Sequence, residues 1–182
     1  YGTNGQNPTP GYSFSIDISK FNGGSHTIKI ELYYDNTVLT TTNTTFNFDK
    51  NLHVQYMTHV QDEGWQDWKK DGEVAGTSGK SLRLEAMNIK LLNNANSDIH
   101  VKYQVHVQDE GWQNWRTDGE MAGTSGKSLR LEAIRILLDN SEDYAIMYRV
   151  HVQDEGWQDW RTDGEIAGTS GKSLRLEAIQ IK

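Results

Sequence analysis

Hydrophobic and polar residues alternate in several short stretches of this chain. Such a two-residue period places the apolar side chains on one face of a half-buried β-strand. The stretches are residues 12–18, 26–34 and 103–108, and a further short strand is predicted over Thr44–Phe48. Asn22-Gly23-Gly24 has the composition of a tight turn between two of them. The pattern therefore predicts an all-β chain.

One 28-residue sequence is present three times, beginning at His59, His106 and His151, and 24 of its positions are identical in all copies. Each copy is predicted to form four strands separated by turns rich in Asp and Gly. In the second copy the predicted strands are 103–108, 112–115, 120–122 and 129–138. A period of this length is typical of repeated supersecondary units that cannot bury their apolar faces alone.

The last strand of each copy has an unusual pattern. Leu129, Leu131 and Ala133 would lie on one face, and Ile134 and Ile136 on the other. This is expected of a strand that is buried on both sides or bent by a bulge. A helix is the rival interpretation, because Leu129, Ala133 and Ile136 also fit one helical face.

Three equivalent units predict a pseudo-threefold module in which closure removes exposed sheet edges. A β-trefoil is slightly favoured, a β-prism is the alternative, and an open tandem array is a third option. We predict a linker and small β segment over residues 1–50 and a module over residues 51–182. The repeats within the module are predicted at about 54–93, 101–139 and 146–182.

The string H-V-Q-x-x-G-W-Q-x-W, followed by D-G-x-x-A-G-T-x-G and R-L-E-A-I-x-I, resembles the ChW repeat, named for clostridial hydrophobic repeats with a tryptophan after a glycine. The resemblance covers residues 54–182, and the first copy departs from it only at Met87-Asn88-Ile89. It implies an extracellular or cell-surface protein of a Gram-positive bacterium. It also implies binding to polysaccharide, cell-wall glycan or a host surface glycoprotein, and it supplies no catalytic residues.

Residues 12–48 resemble the C-terminal half of a bacterial immunoglobulin-like domain, on the strength of Gly24-Ser25-His26-Thr27-Ile28. A partial domain of this kind would have lost its first strands. The open sheet edge would then favour pairing with another chain, for example in a homodimer. The chain begins with Tyr1, and we interpret it as a fragment of a longer protein.

Composition excludes several classes of function. The 182 residues are 35% hydrophobic and 24% charged, as in soluble globular proteins, and no apolar run is long enough for membrane insertion. The absence of cysteine excludes disulfides and thiolate sites. A net charge of −7 argues against nucleic acid as a partner.

The tryptophans are the strongest candidates for binding. Trp65 and Trp68 are three residues apart, so on one straight strand one would enter the core and the other would stay partly exposed. We predict the tryptophan beside the glycine turn as the platform for a sugar ring, with turn carboxylates and amides beside it. The predicted ligand-binding residues are Trp65, Trp112, Trp157, Asp62, Asp109, Asp154, Gln61, Gln108 and Gln153.

Other polar groups favour structural roles. His59, Arg83 and Glu85, with their counterparts, would form an internal polar network if the first and last strands of a repeat pair. A zinc site on three converging histidines, calcium binding at the turns and nucleotide binding at Gly79-Lys80-Ser81 are all disfavoured, and no cofactor is expected.

The predicted function is a non-catalytic, multivalent carbohydrate- or cell-wall-binding surface module, because every candidate carboxylate is triplicated whereas an enzyme builds one asymmetric site. The alternative is a protein-binding adhesion module or a purely structural one, with the tryptophan pairs buried.

Overall fold

A computed structural model describes residues 23–49, 51–94 and 98–182, and these divide into two compact units between Asp49 and Lys50. All of the regular secondary structure described is β-strand, which confirms the all-β prediction. No helix capable of crossing a membrane is present among the described residues.

The described part of the first unit is one antiparallel hairpin of β1 (Gly24–Tyr34) and β2 (Thr37–Phe48). Asp35 and Asn36 connect the strands with φ of 45° and 58°, the paired positive values of a type I′ turn. The predicted strand at residues 26–34 is confirmed, and the strand predicted at Thr44–Phe48 extends back to Thr37. The predicted strand at residues 12–18 lies outside the described residues, so the immunoglobulin-like domain and its homodimer stay predictions.

The second unit contains three repeats of five strands each. The first repeat consists of β3 (His53–Val60), β4 (Gly64–Trp65), β5 (Lys69–Lys70), β6 (Ala75–Gly76) and β7 (Leu84–Leu92). The second consists of β8 (His100–Val107), β9 (Gly111–Trp112), β10 (Arg116–Thr117), β11 (Ala122–Gly123) and β12 (Leu131–Asp139). The third consists of β13 (Met147–Val152), β14 (Gly156–Trp157), β15 (Arg161–Thr162), β16 (Ala167–Gly168) and β17 (Leu176–Ile181).

Each repeat is organised around its first long strand. In the second repeat, β8 pairs with β12 along one edge, and on the other edge with β9 and β10. The sequence predicts one strand over Trp112–Trp115, but the structure has a short strand that ends at Trp112 and a second that begins at Arg116, so each repeat has five strands rather than four.

The last strand of each repeat carries the predicted bulge. Leu131 lies opposite Val107 and Ala133 opposite His106, so Glu132 is the extra residue. The same shift occurs where Glu85 and Glu177 stand in the other two repeats. A bulge redirects one side chain, and here that side chain is a glutamate.

The repeats close into a ring because each last strand pairs with a short strand of the next repeat. β7 pairs with β11, β12 pairs with β16, and β17 pairs with β6 of the first repeat. This confirms the pseudo-threefold module and excludes the open array, whereas the choice between trefoil and prism stays a prediction.

Close backbone packing accompanies each of these pairings. The N–H of Thr124 donates a 2.8 Å hydrogen bond to the carbonyl of Glu85 in the first repeat. A Cβ atom on Gly123 would lie 2.7 Å from the Ala86 Cα and closer still to the Glu85 carbonyl oxygen. Glycine is therefore required for the approach of one repeat to the next.

A single core lies inside the ring and draws on all three repeats. Alternate residues of each first strand enter it, as in β8, where Val101, Tyr103, Val105 and Val107 are buried. The alternation predicted for residues 103–108 is therefore confirmed.

Candidate ligand-binding site

The tryptophans lie outside the core in all three repeats. Trp65 and Trp115 are 39% and 40% exposed, and the other four are half-buried. The prediction that one tryptophan of each pair enters the core is wrong, as is the alternative in which both are buried. The protein-binding and structural alternatives therefore cannot rest on fully buried tryptophan pairs.

The chain bends between the two tryptophans of a pair. β9 ends at Trp112, and the N–H of Gln113 donates a 3.0 Å hydrogen bond to the Val105 carbonyl, before β10 begins at Arg116. Because Trp112 and Trp115 are not on one straight strand, the opposite-face rule does not apply to them. Both rings lie beside the same guanidinium group, that of Arg135.

Cationic side chains cover several of the tryptophan rings. The Arg135 guanidinium lies 4.6 Å from the centre of the Trp112 ring, and Arg149 lies 5.1 and 4.8 Å from Trp157 and Trp160. Ammonium groups cover two rings, with Lys90 4.2 Å from Trp68 and Lys182 4.3 Å from Trp160. These distances are within the range of cation–π attraction.

A buried polar network supports the tryptophan next to the glycine turn. Oε1 of Glu132, a residue that is 5% exposed, accepts a 2.9 Å hydrogen bond from Nε of Arg130, and Nη2 of Arg130 lies 2.7 Å from the same oxygen in an ion pair. The other carboxylate oxygen lies 3.1 Å from Nδ1 of His106, at an angle outside hydrogen-bond geometry. The His106 ring then meets the Trp112 ring edge to face, with the ring centres 5.5 Å apart.

The other repeats have the same network, in which Arg83, Glu85 and His59 lie beside Trp65 and Arg175, Glu177 and His151 lie beside Trp157. The predicted cluster is confirmed for these residues. The glutamate neutralises the arginine, and the histidine fixes the tilt of the indole.

The predicted glutamines and aspartates lie in the turn before each tryptophan. Asp109 is exposed with φ of 62°, and its carboxylate accepts a 3.1 Å hydrogen bond from the side chain of Gln108. Gln153 and Asp154 are bonded in the same way. Asp62 adopts the same φ of 62°, and Gln61 is half-buried beside it.

An ion pair braces the outer side of that turn. The Lys127 ammonium donates a 2.8 Å hydrogen bond to Glu110 and, with Gln113, holds the pKa of the Glu110 carboxyl below its ordinary value. Lys80 with Glu63 and Lys172 with Glu155 repeat the arrangement. All three carboxylates are therefore charged at neutral pH.

The first repeat has an open cleft beside its tryptophan, with a volume of about 420 Å³. It is lined by Trp65, Gln66, Asp67, Lys69, Val74 and Gly76. Among the predicted ligand-binding residues, Trp65 contributes to this cleft, whereas Gln61 and Asp62 lie in the adjoining turn. In the described part of the chain, no group of three or more His, Asp or Glu side chains is placed to hold a metal ion.

Comparison with known families gives the repeats their name. Residues 59–93, 106–140 and 151–182, more than half of the chain, match the family described as Clostridial hydrophobic W, or ChW. The chain belongs to the ChW family. No match was found among curated proteins or among solved structures.

The ChW matches begin at the histidines that contact the tryptophans and include the bulge glutamate of each repeat. They do not extend to the hairpin of β1 and β2. The family assignment therefore covers the ring, and the resemblance of the first unit to an immunoglobulin-like domain stays a prediction.

One important residue of the ChW repeat is missed by sequence reasoning, the glutamine after the tryptophan. Oε1 of Gln113 accepts a 2.8 Å hydrogen bond from the N–H of Gly123, and Gln66 and Gln158 do the same for Gly76 and Gly168. This bond fixes the short strand that pairs with the neighbouring repeat. The signal in the sequence is the G-W-Q triplet, which is identical in all three copies.

Proposed function

We propose that this ChW module is a non-catalytic carbohydrate- or cell-wall-binding module that acts at the cell surface. The observation that carries the proposal is that tryptophans placed outside the core recur in all three repeats. An exposed indole presents a flat apolar face on which the C–H groups of a sugar ring can stack.

Support for this proposal comes from how firmly the rings are held. The indole of Trp112 is fixed by His106 on one side and Arg135 on another, and the histidine rests on the buried Glu132. A platform that is already ordered loses little conformational entropy when a ligand binds. Weak contacts of this kind gain from repetition, because linked sites on a polymer raise the overall affinity by about 10²–10⁴-fold.

The polar groups around the first cleft suit a hydroxylated ligand. Asp67 and Lys69 line the same cleft as Trp65, and side chains of these types offer an acceptor and donors to sugar hydroxyls. A hydrolytic mechanism would require two carboxylates in contrasting environments at one site. The hydrogen bond from a lysine lowers the pKa of the Glu63, Glu110 and Glu155 carboxyls, so none of the three supplies the protonated acid that such a mechanism needs.

The test is co-sedimentation of the chain with Gram-positive cell walls and with isolated wall polysaccharides, followed by titration calorimetry on any ligand found. We expect binding by the native chain and a loss of at least about tenfold when Trp65, Trp112 and Trp157 are all replaced by alanine. Tyr144→Ala is the matched control, because Tyr144 is an exposed aromatic outside the tryptophan pairs.

Thermal unfolding of each variant confirms that the ring is intact before binding is compared. Equal binding by the triple variant, or no binding of any wall preparation by the folded native chain, would refute the proposal.

A further inference from the structure

The three tryptophan pairs are identical in sequence context but differ in what covers them. The difference lies at one position, where a residue of the first strand of a repeat pairs with a residue of the last strand. In the second repeat Gln104 lies opposite Arg135, and in the third Arg149 lies opposite Gln180. In the first repeat the same pair is Met57 and Asn88.

An arginine therefore occupies this position in two repeats, from the last strand in one and from the first strand in the other. Arg135 reaches both Trp112 and Trp115, and Arg149 reaches both Trp157 and Trp160. The site between the indoles thus accepts a guanidinium from either direction. Met57 and Asn88 cannot supply a positive charge to the first repeat.

The exposure of the tryptophan that follows the glycine differs in the same way, whereas Trp115, at 5.7 Å from Arg135, is 40% exposed. Trp65 is 39% exposed, whereas its counterparts Trp112 and Trp157, which lie beside arginines, are half-buried. Within the described residues, no lysine or arginine lies over the face of the Trp65 ring, and Lys90 covers only Trp68. Lys69 lines the same cleft as Trp65 without stacking on its ring. The other supports of the site are unchanged, since His59 meets Trp65 at 5.4 Å and Glu85 is buried beneath it.

We propose that the ring of Trp65 is a cation-accepting subsite that binds a sugar carrying a free, protonated amino group. The amine takes the place that Arg135 and Arg149 fill in the other two repeats. This inference rests on the proposed carbohydrate-binding function and gives it a substrate class, glycans with non-acetylated hexosamine residues. The net charge of −7 adds a favourable field for such a ligand.

The consequence is that the repeats are not equivalent. The first repeat recognises charge, and the other two carry their own cation and offer only the remaining ring surface to neutral sugars. A polymer bound across the module would be anchored at Trp65.

The experiment follows the indole N–H resonances of the ¹⁵N-labelled native chain, assigned by single Trp→Phe substitutions. The probes are a β-1,4-linked glucosamine oligomer and the fully N-acetylated oligomer of the same length, both at the same mildly acidic pH. We expect the amino oligomer to shift Trp65 before the other indoles and to bind about three- to fivefold more tightly than the acetylated one.

Two substitutions exchange the character of the repeats. Met57→Arg copies the third repeat and should abolish the Trp65 shift, because the site then holds its own guanidinium. Arg135→Asn copies Asn88 and should produce a new shift at Trp112. Each replacement is a residue that a sister repeat already carries at that position, and thermal unfolding verifies that both variants are folded.

Equal affinity for the two oligomers, equal shifts in all three repeats, or an unchanged Trp65 shift in folded Met57→Arg would each overturn the inference. Binding of neutral wall polysaccharide in those cases would leave the proposed function standing. If no glycan of either kind binds the folded chain, both the inference and the proposed function are overturned, and the result favours a protein partner.

Discussion

The hydroxyl of Tyr103 in the second repeat accepts a 3.1 Å hydrogen bond from the backbone N–H of Ile89 in the first repeat. The same hydroxyl donates to the carbonyl of Glu120 in its own repeat. Tyr56 makes the equivalent pair of bonds with Ile181 and Glu73, so the tyrosines join neighbouring repeats around the ring. A fully buried phenol thus links two repeats through one oxygen atom.

Replacement of this hydroxyl should weaken the ring. Tyr103→Phe removes both hydrogen bonds and leaves the buried N–H of Ile89 without its acceptor, so we expect a loss of about 1–3 kcal/mol in the free energy of unfolding. Urea denaturation measures it. Tyr144→Phe is the control. Tyr144 is exposed, and its hydrogen bonds to the Ser141 side chain are made by its backbone N–H and carbonyl, which the substitution keeps. A similar loss in both variants would contradict the assignment.

The same phenols should make the module sensitive to alkali. Burial raises the pKa of Tyr56, Tyr103 and Tyr148 to about 12, above the ordinary value of 10.0. The folded state therefore holds these protons while the unfolded state releases them, and stability falls as pH rises from about 10 to 12. Below pH 10 these groups cause no change.

Absorbance at alkaline pH measures the effect, since tyrosinate absorbs at longer wavelength than tyrosine. We expect three late-titrating tyrosines in the folded chain and two in Tyr103→Phe, with unfolding in the same range of pH. If all tyrosines titrate near pH 10 while the ring is still folded, the three phenols are accessible to water and their pKa values are not raised by burial.

A single methyl group at the junction of repeats should be more disruptive than the loss of a hydroxyl. Gly123→Ala places a Cβ within 2.7 Å of the Ala86 Cα across the interface, at a φ of 99°. Because the clashing atoms belong to the backbone of Glu85 and Ala86, a change of side-chain rotamer cannot relieve the clash. Gly126→Ala is the matched control, because Gly126 has φ of 75° but nothing lies within 4 Å of its added Cβ.

Both alanines carry the cost of a positive φ, about 1–2 kcal/mol, so the difference between them isolates the clash. We expect Gly126→Ala to fold with a lowered melting temperature and Gly123→Ala to fail to form the ring, as judged by thermal unfolding and size-exclusion chromatography. Equal stability of the two variants would mean that neighbouring repeats can separate enough to accommodate the methyl group without destabilising the ring.

The bulge glutamate should matter more than the surface ion pair near it. Glu132→Gln leaves the half-buried Arg130 without its carboxylate partner. Breaking a fully buried pair costs about 3–5 kcal/mol, and we expect a smaller loss here because Arg130 keeps some contact with water. Lys127→Ala removes only an exposed partner of Glu110 and should change stability little. Chemical denaturation of both variants measures the loss in the free energy of unfolding. A larger loss for Lys127→Ala than for Glu132→Gln would contradict the prediction that the bulge glutamate matters more.

The core and the bulge could be predicted from the sequence, because both depend on local patterns. Alternation at Tyr103, Val105 and Val107 shows which face is buried. The change from the Leu129–Leu131–Ala133 series to the Ile134–Ile136 series shows where the strand bends, and the structure places the extra residue at Glu132. The full length of β2 could not be predicted, because Thr40–Thr45 is a run of threonine and asparagine without apolar alternation.

The orientation of the tryptophans depends on contacts that no single stretch of sequence reveals. The bend after Trp112 follows from a hydrogen bond to Val105 on another strand. The role of the Gln113 side chain could not be predicted, because its hydrogen-bond partner, Gly123, is ten residues away in the sequence and is brought beside it by the fold. The arginines of the second and third repeats come from different strands and become equivalent only through the pairing register.

Ring closure by β6 and β17 brings the two ends of the module together. Leu52, His53 and Lys182 line one small hollow, and Gly72 packs against Lys182. The polypeptide thus enters and leaves this unit at one point, as in domains that tolerate circular permutation. Because its two ends are adjacent, we expect a unit of this kind to tolerate insertion into a longer chain, and also circular permutation with a new break between two repeats.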